Sequence, residues 1–153
     1  MTWLLHTYLR VPSIEGTAVR GLGGSTYSDK TRSLAAFQQV GDLTVSEEVD
    51  RVFAGVVPAT SKPVAVFHSG AHVVTVDRVA GPATGHSFAD VVVWNPWIEK
   101  AKGMADFDNE GYKSMICVEV GDVAKTVSVA PGQVREAGQV LWAASAVSGA
   151  PKL

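Results

Sequence analysis

Short valine-rich runs, each cut off by turn residues, leave this chain little room for long helices. VAVF at 64–67, HVVTV at 72–76, DVVVW at 90–94, MICVEV at 115–120 and KTVSV at 125–129 are of this kind. Gly23-Gly24, Ser69-Gly70, Gly81-Pro82, Asn95-Pro96 and Pro131-Gly132 punctuate the chain between or beside them. β-Branched side chains are stiff in a helix and pack well on a pleated surface, so the runs read as strands. LLHTYLRV at 4–11 alternates with a period of two, placing His6, Tyr8 and Arg10 on one face and Leu5, Thr7, Leu9 and Val11 on the other. QVREAGQVLWAA at 133–144 is the last strand-like run, and helix is expected only around Thr31–Gln39 and Ile98–Met104. The pattern predicts an all-β fold, an antiparallel β-sandwich or barrel-like sheet, in a single domain over residues 1–153.

A chain of 153 residues, 46% of them hydrophobic, can bury one real core. Its formal net charge of −2, with no Lys/Arg cluster, argues against nucleic acid or an acidic membrane surface as a partner. No uncharged stretch offers the roughly 20 apolar residues that a spanning helix needs. The apolar run before His6 is too short for the core of a signal peptide. A single cysteine, Cys117, excludes an internal disulfide and cannot by itself build a zinc site, which suits a reducing compartment. The cytoplasm is the expected location.

Few residues offer chemistry. Glu119 stands among Ile116, Cys117, Val118 and Val120, where burial without a partner would cost several kcal/mol and raise its pKa. Either it lies on the solvent side of a half-buried strand or it faces a cleft and is used. His6 shares a polar strand face that could line a groove or simply meet solvent. In SEEVDRVF at 46–53, the charges around Asp50 read as those of an edge strand. His68, His72 and His86 have no Cys or carboxylate partners at zinc spacings and read as surface histidines. Cys117 reads as a small buried apolar residue, and GLGG at 21–24 as a turn, since no phosphate-loop pattern follows it.

Taken in order, LHTYLRV at 5–11, EVDRVF at 48–53, VVWNPW at 92–97, KGMADFDNEGYKSMICVE at 102–119 and LWAASAV at 141–147 give the chain a family likeness. It resembles the C-terminal half of the hexose-6-phosphate mutarotases, the glucose-6-phosphate 1-epimerase branch of the aldose 1-epimerase family. The resemblance implies part of a galactose-mutarotase-like supersandwich, and hence a truncated domain. It implies interconversion of α and β anomers by ring opening and closure, with no metal or organic cofactor. By the same resemblance Glu119 is the base that takes the O1 proton, His6 the acid that protonates the ring oxygen, and Asp50 a ligand for sugar hydroxyls. Trp94, Asn95, Pro96 and Trp97 would shape the floor and a neighbouring loop. The basic residues that hold the 6-phosphate in the family belong to the half not matched here; Arg10 and Arg51 lie in matched motifs without being assigned to phosphate. Two readings follow: an isomerase acting on a hexose 6-phosphate or hexose, or a non-catalytic carbohydrate-binding or interaction module. Exposed sheet edges would favour a homo-oligomer.

Overall fold

The computed structural model describes residues 1–56 and 63–143. Within them the chain forms two antiparallel sheets. The larger takes the strands in the order β1 (Trp3–Leu5), β11 (Met115–Asp122), β10 (Asp90–Asn95), β7 (Val49–Phe53), β4 (Thr26–Asp29) and β5 (Ala35–Gln38), with β2 (Tyr8–Arg10) also paired to β11. The smaller runs β12 (Ala137–Trp142), β9 (Ala71–Ala80), β8 (Val64–His68), β3 (Thr17–Arg20) and β6 (Leu43–Thr44). The expected antiparallel β-sandwich is the observed architecture.

Alternation along the strands decides which side chains fill the space between the sheets. Ile116, Val118 and Val120 of β11, with Val91 and Val93 of β10, meet Val19, Val64 and Val66 of the smaller sheet in one apolar core. Full burial of each such side chain contributes about 1.5–3 kcal/mol, so these central strands carry much of the fold. The opposite faces of β10 and β11 are covered too. Trp94, Met115 and Cys117 form a second, smaller cluster with Met104 and Phe107, which come from the excursion between β10 and β11. That excursion contains the one α-helix among the described residues, α1 (Trp97–Gly103), close to the helix expected at 98–104.

One local device sets register in each sheet. Ser69 and Gly70 both have positive φ, 48° and 79°, which gives the two-residue hairpin between β8 and β9 a twist that matches its strands. Gly121 has no alternative in the observed packing, because a Cβ there would lie 2.5 Å from the carbonyl oxygen of Trp3. Its absence of a side chain lets β1 close onto β11.

Several expectations need correction. Thr31–Gln39 is no helix. A short 3-10 turn at Lys30–Arg32, capped by the Asp29 side chain, ends at Ser33 and Leu34, whose positive φ values of 53° and 63° fold the chain back so that β5 pairs with β4. The strand holding Asp50 is not an edge strand, since β7 lies between β10 and β4. The run at 125–129 forms no strand; its Val127 N–H donates instead to the Met1 carbonyl at 2.8 Å. The last strand-like run begins later than position 133, at Ala137, and its final residue, like 144–147 of the LWAASAV motif, lies outside the described residues. β3, β4, β5 and β6 have no counterpart among the expected strands. No described helix is long and apolar enough to cross a membrane.

Candidate active site

β1 and β2 run along the same side of β11 in one register. Leu5 pairs with Val120 and Tyr8 with Cys117, so the positions between them set His6 opposite Glu119 and Thr7 opposite Val118. The Val118 N–H donates to the Thr7 carbonyl at 3.3 Å and holds the junction closed. Cross-strand partners share a face, and His6 Nδ1 accordingly lies 3.4 Å from Glu119 Oε1. The side chains differ sharply in exposure: 48% for His6 and 2% for Glu119. Of the two possibilities for Glu119, the open solvent face is ruled out.

The same face continues across the sheet. Cys117 pairs with Trp94 of β10, and Trp94 with Asp50 of β7. Asp50 therefore points to the side that carries Glu119, and its charge contributes to raising the Glu119 pKa. Lys30 Nζ lies 3.1 Å from Asp50 Oδ1, close enough for an ion pair but not aligned as a hydrogen bond. The fold thus brings His6, Glu119 and Asp50 to one face.

Aromatic rings wall this face. The His6 ring stacks on Tyr8 with centroids 4.9 Å apart, and both meet the edge of Trp94, at 5.7 and 6.0 Å. Phe107 also meets Trp94, in a T-shaped contact with centroids 6.4 Å apart. Asn95 has a different task. Fully buried, it donates from Nδ2 to the carbonyls of Tyr112 and Met115, and its Oδ1 accepts from the Trp97 N–H at 2.9 Å. Those bonds hold Trp97 at a positive φ of 55° and anchor the excursion that supplies Phe107. The VVWNPW motif therefore contributes a wall residue, Trp94, and a strut, Asn95, while Trp97 packs on Tyr112.

Burial sets the electrostatics. It pushes the Glu119 carboxyl up to about 7 from an ordinary 4.5; the nearby Lys30 charge pulls it down and Asp50 pushes it up. Burial likewise raises the Cys117 thiol, with the Glu119 charge adding to the effect, so the thiol is protonated and no nucleophile. Tyr8 is raised by burial first, then by Cys117, Glu119 and Asp106. A carboxyl that titrates near neutral pH suits a general base.

Other residues singled out in the sequence fall elsewhere. Arg51 turns to the opposite face, where it donates to Gln39 Oε1 at 3.1 Å and lies over the Tyr27 ring. His68, His72 and His86 are half-buried rather than surface residues. His68 Nδ1 lies 3.0 Å from the Ser13 carbonyl and His72 Nε2 lies 2.7 Å from Thr75 Oγ1, while His86 stands between Asp122 and Arg135, 2.8 Å from each. Lys30 escaped the sequence reading, because its position beside Asp50 appears only once β4 is known to pair with β7. Cys117→Ala should cost about 1–2 kcal/mol, since it removes a fully buried sulfur from a packed cluster. A urea melt of the variant measures this.

The arrangement of these strands and motifs has close counterparts. A family model of aldose 1-epimerase matches residues 1–142. The chain belongs to the aldose 1-epimerase family. Over 133 residues it is 37% identical to a protein of Cenchrus ciliaris named “Putative glucose-6-phosphate 1-epimerase”, and over 132 residues 31% identical to one of the same name from Escherichia coli. These alignments cover 86% and 84% of this aldose 1-epimerase chain but only 37% and 40% of the relatives' lengths. Among solved structures, a “putative mutarotase (YeaD)” of Salmonella typhimurium superposes with a TM-score of 0.75 at 24% identity, over 92% of this chain and 44% of that one. The two proteins share the mutarotase sandwich over that span.

Proposed function

We propose that this chain interconverts the α and β anomers of a hexose 6-phosphate by general acid–base catalysis. The observation that carries the reading is the convergence of His6, in the junction between β1 and β2, with Glu119 of β11, 3.4 Å apart, and with Asp50 on the same face. Anomer exchange removes a proton from O1 and delivers one to the ring oxygen, and both oxygens sit on the same carbon. An acid and a base must therefore lie within a few bonds of each other, as these two do. Glu119 takes the O1 proton as the O1 lone pair forms the carbonyl at C1. The bond from C1 to the ring oxygen breaks, and His6 protonates the departing oxygen. Rotation about C1–C2 presents the other carbonyl face, and the reverse transfers close the ring. Asp50 holds sugar hydroxyls, and Lys30, 3.1 Å from its Oδ1, helps hold the carboxylate in place. The names of the relatives support the 6-phosphate, and the family supports a sugar substrate.

In the same reading the protein works in the cytoplasm, in keeping with its one buried, unpaired cysteine. Copies associate through open sheet edges, most readily along β12, where Val140, Leu141 and Trp142 are exposed.

Phosphate recognition is the weak arm of this site. Lys30 is engaged by Asp50, and Arg51 faces away. Charge-assisted Arg–phosphate contacts are among the stronger polar interactions a site can offer, and neither Lys30 nor Arg51 is placed to make one, which leaves only the exposed Arg10 of the matched motifs on the face of His6. Affinity for glucose 6-phosphate should therefore differ little from that for glucose when both are titrated into the purified chain by calorimetry. Micromolar binding of glucose 6-phosphate, far tighter than glucose, would contradict this. Exchange NMR between the two anomers tests the reaction itself.

A further inference from the structure

The acid–base pair is two-thirds of a metal site. His6, Glu119 and Cys117 each present a ligand atom, and these atoms lie within 4.8 Å of one another. They come from neighbouring segments: Cys117 and Glu119 two residues apart on one face of β11, and His6 in the junction between β1 and β2, across from Glu119 in the register those two strands share. We infer that this trio binds a zinc ion, and that the bound ion silences the site.

The geometry favours zinc in particular. Zinc takes imidazole nitrogen and carboxylate oxygen at about 2.1 Å in a tetrahedron, which puts the two atoms about 3.4 Å apart. His6 Nδ1 and Glu119 Oε1 stand 3.4 Å apart. The thiol completes a mixed nitrogen, oxygen and sulfur set that suits zinc and disfavours magnesium and calcium, which take oxygen ligands. Charge balances as well. Binding expels the Cys117 thiol proton to solvent, and the resulting thiolate together with the Glu119 carboxylate neutralises the dication. Three protein ligands leave a fourth position for water, as zinc sites with three protein ligands do. The Tyr8 and Trp94 rings pack against the His6 ligand ring.

Occupancy has a consequence that rests on the proposed function: a zinc held by Nδ1 of His6 and by Glu119 removes both proton-transfer groups at once. Zinc is then an inhibitor that competes with sugar for the same atoms.

Cobalt(II) is the direct probe, because it accepts zinc geometry and its bond to thiolate gives a near-ultraviolet charge-transfer band. The metal-free wild-type chain should develop that band up to one equivalent of cobalt and lose it when zinc is added. Cys117→Ser, close in size to the native residue, should show no band and should bind zinc at least tenfold more weakly by calorimetry. His6→Asn should also weaken zinc at least tenfold, without disturbing the buried positions. No band in the wild-type chain, or equal zinc affinity in Cys117→Ser, would overturn the site. None of these readouts uses turnover, so they judge the metal site even if the chain exchanges no anomers. Where exchange is measurable, one equivalent of zinc should raise the apparent KM and leave kcat unchanged. Zinc bound at one equivalent with an unaltered apparent KM would overturn the inhibitory role.

Discussion

Glu119→Gln should lower anomer exchange roughly 10²-fold or more and at the same time make the protein more stable at pH 8. Both effects come from the same burial. The amide keeps the shape of the carboxyl but cannot take a proton from O1. It also has no charge to desolvate. In the wild-type protein the folded Glu119 titrates at about 7 instead of 4.5, so between those values the native state binds more protons than the unfolded one. Wild-type stability at this position is therefore fully present below pH 4.5 and is lost as the pH rises through about 7. At roughly 1.4 kcal/mol per pH unit, the loss is on the order of 3 kcal/mol. The glutamine variant escapes it. Urea melts of both proteins at pH 5, 6, 7 and 8 should diverge progressively, with the variant the more stable at the alkaline end. A constant difference across that range would mean that Glu119 does not carry the raised pKa.

His6→Asn should also lower turnover roughly 10²-fold or more, yet with little change in melting temperature, because its side chain is about half exposed. Asp50→Asn should act differently. It removes the partner of Lys30, whose own side chain is about half exposed, so the stability cost is small. Its effect should fall on sugar binding, seen as a raised KM with kcat changed only several-fold. Steady-state exchange rates over a range of sugar concentrations separate the two outcomes. A His6→Asn variant with wild-type kcat would remove His6 from the acid role.

What the sequence disclosed, and what it hid, follows from how each residue is used. β10 and β11 were legible because strands buried on both faces are continuous apolar runs, and an ionisable residue within such a run stands out, as Glu119 does. β5 was not legible. All four of its residues are exposed, so packing left no alternation, and Ala-Ala with a glutamine reads as helix until Ser33 and Leu34 turn the chain back. The charges of SEEVDRVF suggested an edge, yet Asp50 lies on a central strand, where its charge meets Lys30 across the sheet and Arg51 answers Asp29 on the other face. His6, Asp50 and Glu119 came from family likeness. Neither alternation nor composition names the residue opposite Glu119, because register across strands far apart in sequence is a tertiary fact. The same holds for Cys117: a packed thiol in the sequence becomes a third ligand atom only when β2 and β1 are laid against β11.

The central claim is that Glu119 and His6 together exchange the anomers of a hexose 6-phosphate. Two-dimensional exchange NMR on α and β glucose 6-phosphate, with the purified chain at pH 8, tests it most directly. The wild-type chain should speed exchange above the buffer rate, with an acid limb that falls away below about pH 7 as Glu119 protonates, and Glu119→Gln should return the rate to near that of buffer. A wild-type chain that leaves the buffer rate unchanged, or a Glu119→Gln variant as fast as wild type, would contradict the account.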